Sequence, residues 1–130
     1  MSLQPDKILI VDDEPDIATI LKLHLRESGY LTEWAADGET GLDLLRANNY
    51  SLVLLDVRMT GISGVEVLRR LRAENIDSAV IMMTAHGNEN LVAECMKTGA
   101  ADYVAKPFDI DDLLHRMERA IANRRTLKEK

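Results

Sequence analysis

An α/β fold, a doubly wound five-stranded parallel sheet with helices on both faces, is predicted by three features of this 130-residue chain. Short apolar runs alternate with longer amphipathic segments about five times, the pattern of successive βα units. The runs Ile8–Val11, Leu52–Leu55 and Val80–Met83 lack the apolar–polar alternation of a half-exposed strand, so both of their faces need cover. The length suits one domain with one continuous sheet and enough surface to bury a proper core.

The elements follow in order. Ile8–Val11 reads as a buried strand stopping at Asp12-Asp13, and Pro15 suits the first turn of a helix whose apolar face is Ile17, Ile20, Leu21 and Leu25. Gly29 fits its stop. A second strand is expected at Leu31–Ala35, and Asp37 suits the cap of a helix carrying Leu42 and Leu45. Leu52–Leu55 ends at Asp56, and Ser63 and Glu66 have capping-box spacing ahead of a helix with Val65, Leu68 and Leu71. Val80–Met83 ends at Thr84, and a helix around Glu89–Thr98 stops at Gly99. A short strand, Asp102–Ala105, leads through Lys106-Pro107 to Asp109, which suits the cap of a last helix with Ile110, Leu113, Leu114, Met117 and Ile121. Right-handed crossovers then give the flavodoxin-like order 2-1-3-4-5.

Composition narrows the function classes. With 46% hydrophobic and 29% charged residues, a disordered or low-complexity chain is excluded. The apolar runs are too short to span a bilayer, no signal peptide opens the chain, and the single cysteine, Cys95, cannot form an internal disulfide. A cytoplasmic protein is therefore expected. The formal charge is −6, but the last fifteen residues carry +4, leaving −10 on the first 115. An acidic body argues against direct nucleic-acid binding by this domain, and the basic end reads as a solvated helix or linker.

In a sheet of this order the ligand crevice lies beyond the carboxyl ends of the strands. Asp12-Asp13, Asp56, Thr84 and Lys106 all punctuate strand ends and should gather there. Carboxylates from adjacent strands suit Mg²⁺, a hard cation that offsets their mutual repulsion and can bind a phosphoryl oxygen. Lys106 offers a point charge and Thr84 a hydroxyl donor, the parts that steady a transferring phosphoryl group. Asp56 is placed to be the carboxylate nucleophile of an aspartyl phosphate. No Gly-rich phosphate-binding loop is present, so nucleotide binding has no support.

Taken together, Val11-Asp12-Asp13-Glu14-Pro15, Leu54-Leu55-Asp56-Val57-Arg58-Met59, Met83-Thr84-Ala85-His86-Gly87, Gly99-Ala100-Ala101-Asp102-Tyr103 and Lys106-Pro107-Phe108 resemble the motifs of the receiver domain of bacterial two-component response regulators. The resemblance covers residues 6–123, with 124–130 a basic helical extension or the start of a linker. It implies a phosphorylation-dependent switch, not a turnover enzyme, in which Asp56 accepts a phosphoryl group from a sensor histidine kinase or phosphotransfer protein. Asp12 and Asp13 would hold Mg²⁺ (or Mn²⁺) with Asp56 and the carbonyl of Arg58. Thr84 and Lys106 would bind the phosphoryl oxygens, and Thr84 and Tyr103 would form the switch. The fourth helix, fifth strand and fifth helix would then be the surface for homodimer or output contact. The Thr84–Gly87 segment is similar to receivers of enhancer-binding transcriptional activators, and an output domain in transcription regulation beyond Lys130 is expected rather than a stand-alone receiver. The spacings of Leu113, Met117, Ala120, Arg124 and Leu127 are compatible with a helical extension towards it.

In that family the residues two after the acceptor and two after the threonine flank the path of the hydrolytic water. Here they are Arg58 and His86, and Arg58 is long enough to lie across the pocket mouth and shield a phosphoaspartate. A Mg²⁺-dependent aspartate-nucleophile phosphohydrolase of the haloacid-dehalogenase type would share the fold class, but it needs a second carboxylate where Arg58 stands. A receiver-like binding module without phosphotransfer would not need the full set of site residues. The remaining singular residues have plain readings: Cys95 and Met96 as helix packing, Trp34 as packing on a surface strand, His24 and His115 on helix faces.

Overall fold

A computed structural model describes residues 4–85 and 89–128, the side chains of 126–128 excepted. Its ten elements alternate strictly: β1 (Lys7–Val11), α1 (Pro15–Glu27), β2 (Leu31–Ala35), α2 (Gly38–Ala47), β3 (Leu52–Asp56), α3 (Gly64–Ala73), β4 (Ala79–Thr84), α4 (Glu89–Thr98), β5 (Asp102–Ala105) and α5 (Ile110–Lys128). The five strands are parallel in the order β2-β1-β3-β4-β5, as the sequence predicts.

The missing alternation in β1, β3 and β4 has the expected cause. Leu9, Val11, Val53, Leu55, Val80 and Met82 point to one core with Leu42, Leu45, Leu68, Leu71 and Cys95. Their neighbours Ile8, Ile10, Leu52, Leu54, Ile81 and Met83 point to the other, with Leu21, Leu25, Leu113, Met117 and Ile121. Register aligns the strand ends: Val11 lies beside Leu55, Asp56 beside Met83 and Thr84 beside Ala105.

Local signals act where they were expected. Pro15 occupies the first turn of α1, and the Asp37 carboxylate accepts the Thr40 N–H at 2.8 Å to cap α2. Gly29 takes φ +92°, a conformation most side chains resist, where the chain reverses after α1. The Asp109 carboxylate accepts the N–H groups of Asp111 and Asp112 at the start of α5. Ser63 caps α3 by accepting the Glu66 N–H at 3.2 Å, but the Glu66 carboxylate does not return to the cap. It pairs instead with Arg69 and Arg70, whose charge outcompetes a backbone amide.

Three plain readings change. Cys95 is core, but Met96 is 42% exposed, because α4 turns only one narrow face to the sheet. Trp34 packs against the α1–α5 core but also donates a hydrogen bond into the site described below. The basic end is not simply solvated: Arg124 pairs with Asp77 at 3.1 Å and Arg125 with Asp6 at 2.7 Å.

Candidate functional site

Asp12, Asp13, Asp56, Thr84 and Lys106 converge at the carboxyl edge of the sheet. Asp12 follows β1 and is fully buried. Its N–H donates to the Ala35 carbonyl at 3.2 Å, one residue past the β1–β2 ladder. Its Oδ1 accepts the Glu14 N–H at 2.9 Å and its Oδ2 accepts Lys106 Nζ at 2.9 Å. Asp56 ends β3 and is 5% exposed, with the Arg58 N–H donating to its Oδ1 at 3.3 Å and Lys106 Nζ 3.3 Å from its Oδ2. Asp13 is half-buried and directs Oδ2 to the N–H and hydroxyl of Thr60 at 3.0 and 3.1 Å.

Thr84 ends β4 and is buried, its hydroxyl donating to the Ala85 carbonyl at 3.1 Å. The Lys106 N–H donates to the Thr84 carbonyl at 2.7 Å, which sets the lysine beside the threonine at the mouth. Lys106 Nζ also lies 3.2 Å from Glu14 Oε1, so one ammonium serves three carboxylates.

The electrostatics are those of a site short of positive charge. Burial first and the Asp12 charge second push the Asp56 carboxyl up to about 6, against the opposing pull of Lys106 and the Arg58 amide. Burial works against the Lys106 ammonium, but the hydrogen bond to Asp12 and the charges of Asp56 and Asp12 outweigh it and hold its pKa above the ordinary lysine value. Asp12, Asp13, Glu14 and Asp56 each bring one carboxylate oxygen within 4.8 Å of the others. An all-oxygen donor set of this charge, partly open to solvent, fits a hard divalent cation that keeps some of its waters.

The remaining predicted residues are placed less centrally. Arg58 is exposed, and it reaches the Asp56 carboxylate through its backbone amide. Tyr103 is 43% exposed on β5. His86 lies outside the described residues.

Three further residues take part in the site: Glu14, Thr60 and Trp34. Glu14 was legible as a third acid beside an acidic pair. Thr60 and Trp34 were not, since their bonds to Asp13 and to the Asp12 carbonyl span 47 and 22 residues and follow no motif spacing. Among the described residues no helix is long and apolar enough to cross a membrane.

Residues 8–118 match the family model of the response regulator receiver domain. The chain is 42% identical over 127 residues to the "Uncharacterized transcriptional regulatory protein YkoG" of Bacillus subtilis, covering 98% of this chain and 56% of that protein. It is 40% identical over 108 residues to Sporulation initiation phosphotransferase F of the same organism, covering 83% of this chain and 87% of that one. The receiver domain of the Francisella response regulator 1452 superposes with a TM-score of 0.85 at 35% identity, over 91% of this chain and 98% of that structure. The chain thus spans about half of the first relative and nearly all of the other two.

Proposed function

This chain belongs to the response regulator receiver domain family, and from that premise we propose that Asp56 is its phosphoryl acceptor, with Asp12 and Asp13 as metal ligands and Thr84 and Lys106 as the phosphoryl-binding pair. As a receiver domain it is a phosphorylation-dependent signalling switch. The observation that carries the assignment is the position of Asp56: a nearly buried carboxylate at the end of a central strand, with a lysine on one side and a second carboxylate on the other.

An oxygen of Asp56 attacks the phosphorus of a phosphohistidine or acyl phosphate; the new P–O bond forms as the bond to the donor's nitrogen or oxygen breaks, and the electron pair leaves with the donor. Lys106, already 3.3 Å from Asp56, moves with its charge onto the incoming phosphoryl oxygens. Thr84 exchanges its weak bond to the Ala85 carbonyl for a stronger one to a charged oxygen. Asp12, Asp13, Asp56 and the Arg58 carbonyl would hold Mg²⁺, or Mn²⁺, and the ion would supply positive charge to offset the acids and the incoming phosphoryl group.

Movement of Thr84 frees space into which the exposed Tyr103 turns, and the α4–β5–α5 surface changes with it. That surface is our candidate for a homodimer or output contact, with a sensor histidine kinase or phosphotransfer protein as donor. On this reading residues 6–123 are the receiver and 124–130 a basic helical extension or the start of a linker to an output domain in transcription regulation, and the protein works in the cytoplasm without direct nucleic-acid contact by this domain.

Acetyl phosphate separates the readings. With Mg²⁺, one labile phosphoryl group per chain should appear by intact mass, and EDTA should prevent it. Continuous turnover would instead identify a phosphohydrolase, and no label an inert binding module.

The long exposed Arg58 shields the phosphoaspartate from water by pairing with a phosphoryl oxygen. Arg58→Ala should therefore lose phosphate several-fold faster at fixed Mg²⁺ and pH, and an unchanged or slower loss would make Arg58 a bystander.

A further inference from the structure

We propose that Trp34 is a positioning residue of the acidic cluster, its indole N–H fixing the Asp12–Asp13 peptide and so setting the affinity of the cluster for a divalent cation. The proposal rests on the metal assignment above and adds a residue that makes no contact with the metal. β1 ends its ladder at the Val11–Ala35 pair, so the sheet's own register stops one residue short of the acids. The end of β2 carries on from there. The Ala35 carbonyl accepts the Asp12 N–H at 3.2 Å, and the Trp34 Nε1 donates to the Asp12 carbonyl at 2.8 Å. Asp12 is thus gripped through its N–H and its C=O by two consecutive residues of the neighbouring strand.

The gripped carbonyl belongs to the peptide that joins Asp12 to Asp13. Because that unit is planar, fixing its oxygen fixes the direction in which Asp13 leaves. The far end of Asp13 is held independently by Thr60, which donates twice to its Oδ2. Indole suits this role because it is a donor with no acceptor, on a stiff ring that reaches past its own strand. The ring itself is held, half-buried, by packing against the α1–α5 core, while Lys22 Nζ, 6.0 Å from its centroid, stands at the outer limit of cation–π reach and is not needed for that hold. Groups that orient metal ligands in this way influence affinity although they coordinate nothing.

A Mg²⁺ titration of ¹⁵N-labelled protein, followed at the Asp13 and Asp56 amides and joined to a thermal melt of each variant, tests the proposal. Trp34→Phe keeps an aromatic ring and removes the N–H. It should weaken Mg²⁺ binding by about three- to tenfold, the range that one net hydrogen bond spans, and shift the Asp13 amide before any metal is added. Lys22→Ala removes the cation over the ring, keeps the indole N–H, and should leave Mg²⁺ affinity unchanged. Unchanged affinity in Trp34→Phe with only a lower melting temperature would overturn the proposal, as would an equal loss in Lys22→Ala. If wild-type protein shows no saturable Mg²⁺ binding, the metal assignment itself fails and the proposal falls with it.

Discussion

Asp56→Asn should abolish labelling by acetyl phosphate completely and, in metal-free buffer at pH 7, raise the melting temperature. The first effect follows from the nucleophile: an amide is not a carboxylate, and the neighbouring acid Asp12 is fully buried and committed to Lys106 and the Glu14 amide. The second follows from the charge. Burial and Asp12 push the folded-state pKa of Asp56 up to about 6, above its unfolded value of 3.8. The folded protein therefore holds this proton more tightly than the unfolded chain does. Stability from this group is gained as pH falls from about 6 towards 4, and above pH 6 its ionised form is a cost. A shift of this size corresponds to at most about 3 kcal/mol. The neutral amide of Asp56→Asn carries no such cost, so the variant should melt ~5–10 °C higher at pH 7, with the difference shrinking as pH approaches 4. Mg²⁺ should raise the melting temperature of wild type and have little effect on the variant. A fully labelled variant would remove Asp56 from its role, and one that melts no higher at pH 7 would show that its charge is already compensated.

Gly64→Ala should be the most damaging glycine-to-alanine change among the described residues. A Cβ at Gly64 would lie 2.0 Å from the Asp56 carbonyl oxygen, 2.8 Å from its carbonyl carbon and 3.0 Å from the Val57 Cα. These are backbone atoms of the strand end, tied in place by the Gly64 N–H to Val57 carbonyl bond at 2.8 Å and the Val57 N–H to Met83 carbonyl bond at 2.9 Å. Nothing flexible can yield, so α3 has to retreat from β3. A loss of about 3 kcal/mol or more is expected, a fall of ~10 °C or more in melting temperature, with weaker labelling of Asp56 as its strand end shifts. Gly61→Ala provides the contrast: Gly61 has φ +83° but open space around it, so only backbone strain of about 1 kcal/mol applies. Equal melting of the two variants would contradict the close approach.

The fold was almost fully legible because each of its signals is local. β2, α4 and β5 lie within the bounds read from apolar runs and glycine stops, and Asp37, Ser63 and Asp109 cap the helices they precede. The site was legible as far as topology reaches: residues that end parallel strands share one edge, whatever their separation in the chain. What stayed hidden depends on side-chain trajectories. Trp34 reads as packing until its N–H is seen to find a carbonyl beyond its own strand. Met96 sits at helical spacing yet faces outward, since the rotation of α4 against the sheet is decided by partners elsewhere in the chain. Glu66 had the spacing of a capping box, but two arginines on its own helix hold its carboxylate.

The two-sided burial of β3 has a bearing on folding fidelity. In a strand with one wet face, a slip of one residue turns its apolar side chains into water and is penalised at every position. β3 lacks that safeguard: exchanging Leu52 and Leu54 with Val53 and Leu55 would swap one core for the other at little cost in polarity. The polar residues that bound the central strands supply it instead. Asp56 and Thr84 stand at one end, and at the other Ser51 donates to Asp6 and Ser78 to the Tyr50 carbonyl, each at 2.7 Å. A slip would drag one of these into the hydrocarbon interior without its partner. The residues assigned to phosphoryl chemistry thus also act as end stops that keep the sheet in frame.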